Sequence, residues 1–93
     1  MHVFSRSRLR KAASDYPDAA TALNAWFKIA EKARWSNLHE VRADYPHADP
    51  VGSCVVFNIG GNKYRLIARM DFKAQEMIII GVYTHEEYDR MEL

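Results

Sequence analysis

Three runs of strand-forming residues in the second half of the chain constrain its fold most strongly. The first, Cys54 to Ile59, is rich in β-branched and aromatic residues and ends at Gly60-Gly61-Asn62, which tolerate positive φ angles. The chain can therefore reverse into a second run, Lys63 to Phe72, and a short link leads to a third, Met77 to Tyr83. The sequence predicts a three-stranded antiparallel meander.

Two helices are predicted ahead of the meander. A short β-prone segment, His2-Val3-Phe4, precedes a series of good helix formers from Ser5 to Tyr16 that stops before Pro17. From Asp18, which we expect to be the N-cap, apolar residues recur at helical spacing as far as Ala33. This spacing predicts a second helix with one buried face.

The two remaining segments also carry structural signals. The connection from Trp35 to Gly52 is longer than most loops of a compact domain, which indicates a helical turn within Ser36 to Arg42 or a functional role. After the meander, Thr84-His85-Glu86-Glu87 has the pattern of a capping box, in which two side chains each satisfy a backbone donor. We therefore expect a short final helix over residues 85–91.

Together these elements have the order β-α-α-β-β-β-α. This order places the two N-terminal helices on one face of a mostly antiparallel sheet, which is an α+β fold, and leaves the other face available. With 93 residues, the chain is expected to form one domain over 1–93. Its 48% hydrophobic and 27% charged residues are typical of a globular protein and not of a disordered chain.

Cysteine content and hydropathy exclude several classes of protein. Cys54 is the only cysteine, so neither an intrachain disulfide nor a cysteine-rich zinc cluster can form. No apolar stretch approaches the roughly 18 residues of a membrane span, and residues 1–6 lack the long hydrophobic segment of an export signal. We therefore expect a cytoplasmic protein with no membrane association.

The net charge of +1 conceals an uneven distribution of charge along the chain. Residues 1–35 have a net charge of +4 and residues 51–73 a net charge of +3, whereas residues 74–93 have a net charge of −4. This asymmetry indicates a positive surface for an anionic ligand. Salt bridges between the blocks would explain it equally well.

One face of the second predicted strand is basic. Because side chains alternate along a strand, Lys63, Arg65 and Arg69 share a face with Ile67 and Asp71. Three cations on one face could bind phosphates as a group. The alternative is a solvated face paired with acids such as Asp71. The opposite face is apolar and is expected to join the core: Tyr64, Leu66, Ala68, Met70 and Phe72.

His85 and Tyr88 are three residues apart on the final helix and therefore lie on the same side of it, at the edge of the predicted cationic face. RNA is cleaved without a metal when the ribose 2′-hydroxyl is activated, the phosphorane is stabilised and the leaving oxygen is protonated. Histidine, with a usual pKa of about 6.5, suits the proton transfers, and arginine suits the developing negative charge. A histidine in the first helical turn is also an ordinary capping-region residue.

Two further patterns are rejected as functional motifs. His39-Glu40 begins a zinc-protease motif, but Ala43 occupies the position of the second histidine, and His47 lies eight residues from His39. Gly60-Gly61-Asn62-Lys63 lacks the spacing and the following helix of a phosphate-binding loop. No metal or cofactor is expected.

Two stretches of the chain carry a specific resemblance. They are Val56-Phe57-Asn58-Ile59-Gly60-Gly61-Asn62-Lys63-Tyr64-Arg65-Leu66-Ile67 and Val82-Tyr83-Thr84-His85-Glu86-Glu87-Tyr88-Asp89. Both resemble the HigB family of type II toxin–antitoxin toxins, and the resemblance extends over nearly the whole chain. That family is similar in fold to the RelE toxins, and the predicted order of elements fits this fold.

The resemblance implies an mRNA endoribonuclease that acts on messages in the ribosomal A site or on free RNA. It also implies a partner, a HigA antitoxin with a helix-turn-helix domain. By the same resemblance, Arg65 would bind the phosphate and the transition state, with support from Lys63 and Arg69. His85 and Tyr88 would transfer protons or position the substrate.

Three hypotheses for the function are therefore open. The first is a growth-inhibiting endoribonuclease that cleaves through 2′-hydroxyl attack. The second is a non-catalytic module that uses the same basic face to bind RNA or the ribosome. The third is a protein-interaction domain whose basic face binds only an acidic segment of a partner.

Overall fold

A five-stranded sheet forms the framework of the protein in the computed structural model, which describes residues 1–91. The strands are β1 (His2–Phe4), β2 (Asp49–Val51), β3 (Cys54–Ile59), β4 (Tyr64–Asp71) and β5 (Glu76–Thr84). The helices are α1 (Arg6–Asp15), α2 (Ala20–Lys32), α3 (Leu38–Asp44) and α4 (His85–Arg90), with a 3₁₀ turn at Pro17–Ala19. None of the helices described is long and apolar enough to cross a membrane.

The strands lie in the order β1-β5-β4-β3-β2. Strand β1 is parallel to β5, and all other neighbouring pairs are antiparallel. The chain turns from β3 to β4 at Gly60 and Gly61, whose φ angles are 62° and 70°, values that glycine adopts without steric cost. The predicted α+β class and the meander of β3, β4 and β5 are confirmed.

The segment between α2 and β3 contains two elements where the sequence predicts only a helical turn. Helix α3 begins after Asn37, whose side chain accepts a hydrogen bond from the backbone N–H of Glu40 at 2.9 Å. Strand β2 is not predicted, because Pro50 at its centre has no N–H to donate. The proline is tolerated because β2 lies at the edge of the sheet and pairs only with β3.

The expectation that Asp18 caps the second helix is wrong. Residues Pro17–Ala19 form a 3₁₀ turn, and α2 begins at Ala20 without a side-chain cap. The Asp18 carboxylate instead accepts hydrogen bonds from the Tyr64 hydroxyl at 2.6 Å and from the Lys63 ammonium at 3.3 Å. The hydrogen bond from Tyr64 lowers the pKa of Asp18 most, and the hydrogen bond and positive charge of Lys63 lower it further. Asp18 therefore contacts residues that are distant in sequence, at the start of β4, instead of capping the helix that follows it.

The hydrophobic core lies between the sheet and helices α1 and α2. Leu23, Trp26 and Ala30 are buried at the three- and four-residue spacing of one helix face. Trp26 packs edge-on against Phe57 of β3, with ring centroids 5.3 Å apart. The predicted core face of β4 is confirmed, because its members are buried or packed against the core: Tyr64, Leu66, Ala68, Met70 and Phe72.

Helix α4 begins with the predicted capping box. The Thr84 hydroxyl accepts a hydrogen bond from the backbone N–H of Glu87 at 3.1 Å, and the Glu87 carboxylate accepts one from the backbone N–H of Thr84 at 2.9 Å. The backbone bond lowers the pKa of Glu87 and so keeps its carboxylate ionised. The Tyr16 hydroxyl donates to the same carboxylate at 3.1 Å, which joins α4 to the end of α1.

Strand β1 covers only part of the outer edge of β5, where it pairs with Glu76–Ile78. Immediately beyond, the register of β5 against β4 shifts at a β-bulge. The Arg8 guanidinium donates hydrogen bonds to the carbonyls of Ile79 and Ile80 at 2.8 and 3.3 Å. Helix α1 therefore supplies the donors that β1 does not reach.

The contact between Asp18 and Tyr64 predicts an unusual tyrosine titration. The hydrogen bond to Asp18, with burial and the charge of Asp18, raises the pKa of Tyr64 to about 12. The Asp18→Asn variant removes the charge but keeps an oxygen acceptor, so the pKa of Tyr64 should fall toward 10 without reaching it, because burial remains.

The pKa of Tyr64 can be followed by NMR of ¹³C-labelled tyrosine rings as pH is raised from 8. Asp15→Asn is the matched control, because Asp15 pairs with Lys11 and is not among the groups that raise the pKa of Tyr64. An unchanged Tyr64 titration in Asp18→Asn would mean that this contact does not form in solution.

Candidate active site

A cleft of about 410 Å³ lies where β3, β4 and α4 meet the connection between α3 and β2. Asn58 of β3 is the register partner of Arg65 of β4, so both side chains leave the same face of the sheet. Leu66, the next residue in β4, is fully buried in the core. The polar and charged side chains that line the cleft are Arg42, His47, Asp49, Asn58, Arg65 and Tyr88.

Arg65 is the one charged side chain that is buried in residues 1–91, with 8% of its surface exposed. Its guanidinium donates to the Asn62 side-chain oxygen at 2.9 Å and to the backbone carbonyls of Asn62 and Tyr64 at 3.2 and 3.3 Å. No carboxylate of the described residues lies within salt-bridge distance. The guanidinium is therefore held in place while its charge is not neutralised. The sequence predicts that the face of β4 that carries Arg65 is open to solvent, and this expectation is wrong at Arg65 because its side chain is buried.

His85 makes the fourth hydrogen bond to this guanidinium. Its Nδ1 lies 2.8 Å from Nη2 of Arg65, and its Nε2 lies 3.3 Å from a carboxylate oxygen of Asp89. Because a guanidinium can only donate, Nδ1 must be the acceptor, which assigns the proton of the neutral ring to Nε2. In this arrangement His85 orients Arg65 and is itself oriented by Asp89.

Tyr88 lines the cleft beside Arg65. The centroid of its half-buried ring lies 6.0 Å from Cζ of Arg65, at the outer limit of a cation–π contact. One helical turn thus brings His85 and Tyr88 to the same guanidinium, as the three-residue spacing predicts. The structure therefore places Arg65, His85 and Tyr88 together.

Lys63 and Arg69 do not join this cluster. Lys63 lies in the turn before β4, and its ammonium lies 3.3 Å from the carboxylate of Asp18 in the 3₁₀ turn. Arg69 is exposed and lies four residues along β4 from Arg65, which is about 13 Å at a rise of about 3.3 Å per residue. It lines a different cavity, together with Phe4 and Ile78. The expectation that three cations form one group on one strand face is wrong, because Lys63 lies in the turn outside β4 and Arg69 lies too far along the strand from Arg65.

Four residues of the cleft were not identified from sequence. Asn58 is the cross-strand neighbour of Arg65, and Arg42, His47 and Asp49 come from the long connection before β3. Arg42 Nε donates to the carbonyl of Ala48 at 2.9 Å, which fastens this connection against the cleft. The unusual length of the connection was the available signal, but length does not indicate which side chains face β4.

No group of three His, Cys, Asp or Glu side chains within the described part of the chain is arranged to hold a metal ion. The ionisable side chains that line the cleft are those of Arg42, His47, Asp49, Arg65 and Tyr88, and His85 contacts Arg65. Such a set can bind a phosphate and move protons.

Comparison with known proteins identifies the family. Residues 19–91 match the family model of the HigB toxin, described as the RelE-like toxic component of a toxin–antitoxin system. The chain belongs to the HigB toxin family. The matched range contains every residue of the cleft as well as Lys63 and Arg69, and the resemblance noted in the sequence is confirmed.

Curated relatives align over almost the whole chain. The mRNA interferase toxin HigB of Escherichia coli K12 is 34% identical over 92 residues, which cover 96% of this chain and 88% of that protein. The mRNA interferase HigB of Shigella flexneri gives the same values. The mRNA interferase HigB of E. coli O6:H1 is 28% identical over 94 residues, covering 98% of this chain and 91% of that protein.

The contact between Arg65 and His85 predicts a single tautomer for the histidine ring. At a pH where the ring is neutral, Nε2 should carry the proton and Nδ1 should have the ¹⁵N shift of an unprotonated acceptor. Long-range ¹H–¹⁵N NMR correlation spectra of the folded chain measure both nitrogens. The Arg65→Ala variant should weaken this bias, because only the Asp89 contact at Nε2 remains, whereas Arg10→Ala, in α1, should retain it in full. A wild-type ring protonated at Nδ1 would contradict the arrangement.

Proposed function

We propose that this chain is an endoribonuclease that cleaves mRNA and inhibits growth as the toxin of a type II toxin–antitoxin system. Its membership of the HigB family and the name mRNA interferase of its relatives support the proposal. The observation that carries it is the buried guanidinium of Arg65, held in a cleft without a carboxylate partner.

The surroundings of Arg65 favour an anionic ligand. A buried charge without a counter-ion is destabilising, and this one is kept in place by neutral acceptors from Asn62, Tyr64 and His85. Its four hydrogen bonds use Nη1 and Nη2, so within the described residues the Nε–H has no acceptor. A phosphate in the cleft would supply both the missing negative charge and that acceptor.

The proposed reaction needs only RNA. The ribose 2′-oxygen loses its proton to a base and bonds to the adjacent phosphorus, which gives a phosphorane whose added negative charge Arg65 stabilises. The bond from phosphorus to the 5′-oxygen then breaks, and this oxygen takes up a proton. The products are a 2′,3′-cyclic phosphate and a 5′-hydroxyl, so no oxidant or second substrate is consumed.

We assign the proton-transfer and positioning roles to His85 and Tyr88. A phosphate that replaces His85 as an acceptor at Nη2 of Arg65 would free Nδ1 of His85 to accept a proton, and the Tyr88 hydroxyl can donate to the phosphate or the leaving oxygen. His47 lines the same cleft and is exposed, which makes it a further group able to exchange protons with the substrate.

Flanking phosphates are assigned to Lys63 and Arg69. Arg69 is exposed on β4 and can contact the RNA backbone beyond the cleft. Lys63 must exchange its exposed pair with Asp18 for a phosphate, and the exchange costs little because such pairs stabilise by about 0–1 kcal/mol.

The finer parts of the proposal concern the cellular setting. We assign the cleavage to messages during translation on the ribosome, in the cytoplasm, and the neutralisation to an antitoxin of the HigA type with a helix-turn-helix domain. The family description as the toxic component of a toxin–antitoxin system supports the existence of such a partner.

Substitution of Arg65 tests the catalytic site directly. The Arg65→Ala variant should cleave RNA about 10²–10³ times more slowly, because it loses the group that stabilises the phosphorane. Arg65→Lys should recover only part of the rate, because an ammonium cannot reproduce the fork of the guanidinium. Arg10→Ala, which removes an exposed arginine of α1 outside the cleft, is the matched control.

Cleavage is measured on single-stranded RNA and on translated message, and folding is verified by circular dichroism. A folded Arg65→Ala protein with full activity and toxicity would refute the site assignment. Inhibition that persists in His85→Ala without any cleavage would favour the binding-module hypothesis.

Mapping of message ends tests the proposed mode of action. After induction of the chain in cells, new 5′ ends should appear inside translated regions at a fixed position relative to the codon. The cuts should disappear when the protein encoded by the adjacent open reading frame is co-expressed. Cuts without relation to the reading frame would indicate direct recognition of RNA, and growth arrest without cuts would contradict the nuclease proposal.

A further inference from the structure

A second basic groove, larger than the catalytic cleft, lies at the other end of the sheet. It has a volume of about 1010 Å³ and is formed by β1, the start of α1, the end of α2 and the turn between β4 and β5. Along β4, Phe72 at this groove lies seven residues from Arg65, about 23 Å at a rise of about 3.3 Å per residue. We call this feature the β1 groove.

The β1 groove has an excess of positive charge. Four cationic side chains line it, Arg6, Lys32, Arg34 and Lys73, and Glu31 is its one acidic residue. All four cations are exposed, and in the described part of the chain none of them forms a salt bridge or donates a hydrogen bond to the protein. An excess of unpaired cations in one concave site favours an anionic ligand.

The lining between these cations is apolar. Val3 is buried, while Phe27 and Phe72 are half-buried with part of each ring facing the groove. The guanidinium of Arg6 lies 4.2 Å from the centroid of the Phe27 ring and covers it. A nucleobase needs an uncovered aromatic face for stacking, and because Arg6 covers Phe27, Phe72 is the phenylalanine of the lining that remains, which disfavours a stacking site for RNA. An acidic amphipathic peptide, which has apolar side chains between its carboxylates, would match both the cations and the apolar lining of the groove.

We infer that the β1 groove binds an acidic segment of the antitoxin whose carboxylates pair with Arg34 and Lys73 and whose apolar side chains contact Phe72. The inference rests on the proposed function for the existence of that partner. The groove is remote from Arg65, so a segment bound there anchors the antitoxin without itself filling the cleft. Affinity for the antitoxin and catalysis are therefore separable by mutation.

Charge reversal in the full-length chain tests the inference. The double variant Arg34→Glu/Lys73→Glu changes two exposed side chains that have no partner in the described structure, so the fold should be retained. The probe is the purified protein encoded by the adjacent open reading frame, and its affinity is measured by calorimetry. The matched control, Arg10→Glu/Lys28→Glu, makes the same change in net charge on exposed positions that do not line the groove.

The expected result is a loss of at least about tenfold in affinity for Arg34→Glu/Lys73→Glu, with the control variant and RNA cleavage unchanged in both. Hydrogen exchange of the wild-type complex should show protection at residues 27–34 and 72–75. Equal affinities of the two double variants would overturn the inference.

Two further outcomes would also overturn it. If affinity for the probe were intact but RNA binding fell, the groove would be an RNA site. If the wild-type chain did not bind the probe at all, both the groove assignment and the antitoxin part of the proposed function would fail, whereas cleavage dependent on Arg65 would still support the nuclease.

Discussion

Four hydrogen bonds around one buried guanidinium join parts of the chain that are separate in sequence. The Arg65 side chain extends from β4, the middle strand of the meander. It contacts the turn that precedes β4 and the first residue of α4. Each acceptor is neutral, so the contacts fix the position of the charge without cancelling it. This arrangement helps to fix the position of α4 relative to the sheet, and with it that of Tyr88 in the cleft. A carboxylate in place of Asn62 would hold the arginine as firmly but would compete with a phosphate.

The fold was predictable where neighbouring residues determine the structure. The glycine pair, the core-facing side of β4 and the capping box at Thr84 act over a few residues, and each has the predicted geometry. The failures lie where distant contacts decide. Asp18 bonds to Tyr64, 46 residues away, instead of capping its own helix. Pro50 disfavours a strand in the sequence because it has no N–H to donate. It is tolerated in β2 because this edge strand pairs with β3 on one side only.

The candidate site was predictable to a similar extent. Alternation along β4 indicated that Arg65 points away from the core, and helical spacing indicated that His85 and Tyr88 share a side. Neither rule could show that His85 accepts a hydrogen bond from Arg65, since that distance depends on how α4 meets the sheet. His47 and Asp49 reach the cleft because Arg42 fastens their segment, and this tertiary contact has no counterpart in local sequence.

Helix α4 combines two side chains of the candidate site with little stability of its own. It has six residues, none of them buried, and isolated helices shorter than about 12–15 residues are marginal in water. Its capping box and the bonds from Tyr16 and Arg65 to its first turn hold it in place. Local unfolding of such a unit requires much less free energy than global unfolding. Opening of this one helical turn would separate His85 and Tyr88 from Arg65 while the sheet stays intact, so the geometry of the candidate site depends on contacts made from outside the helix.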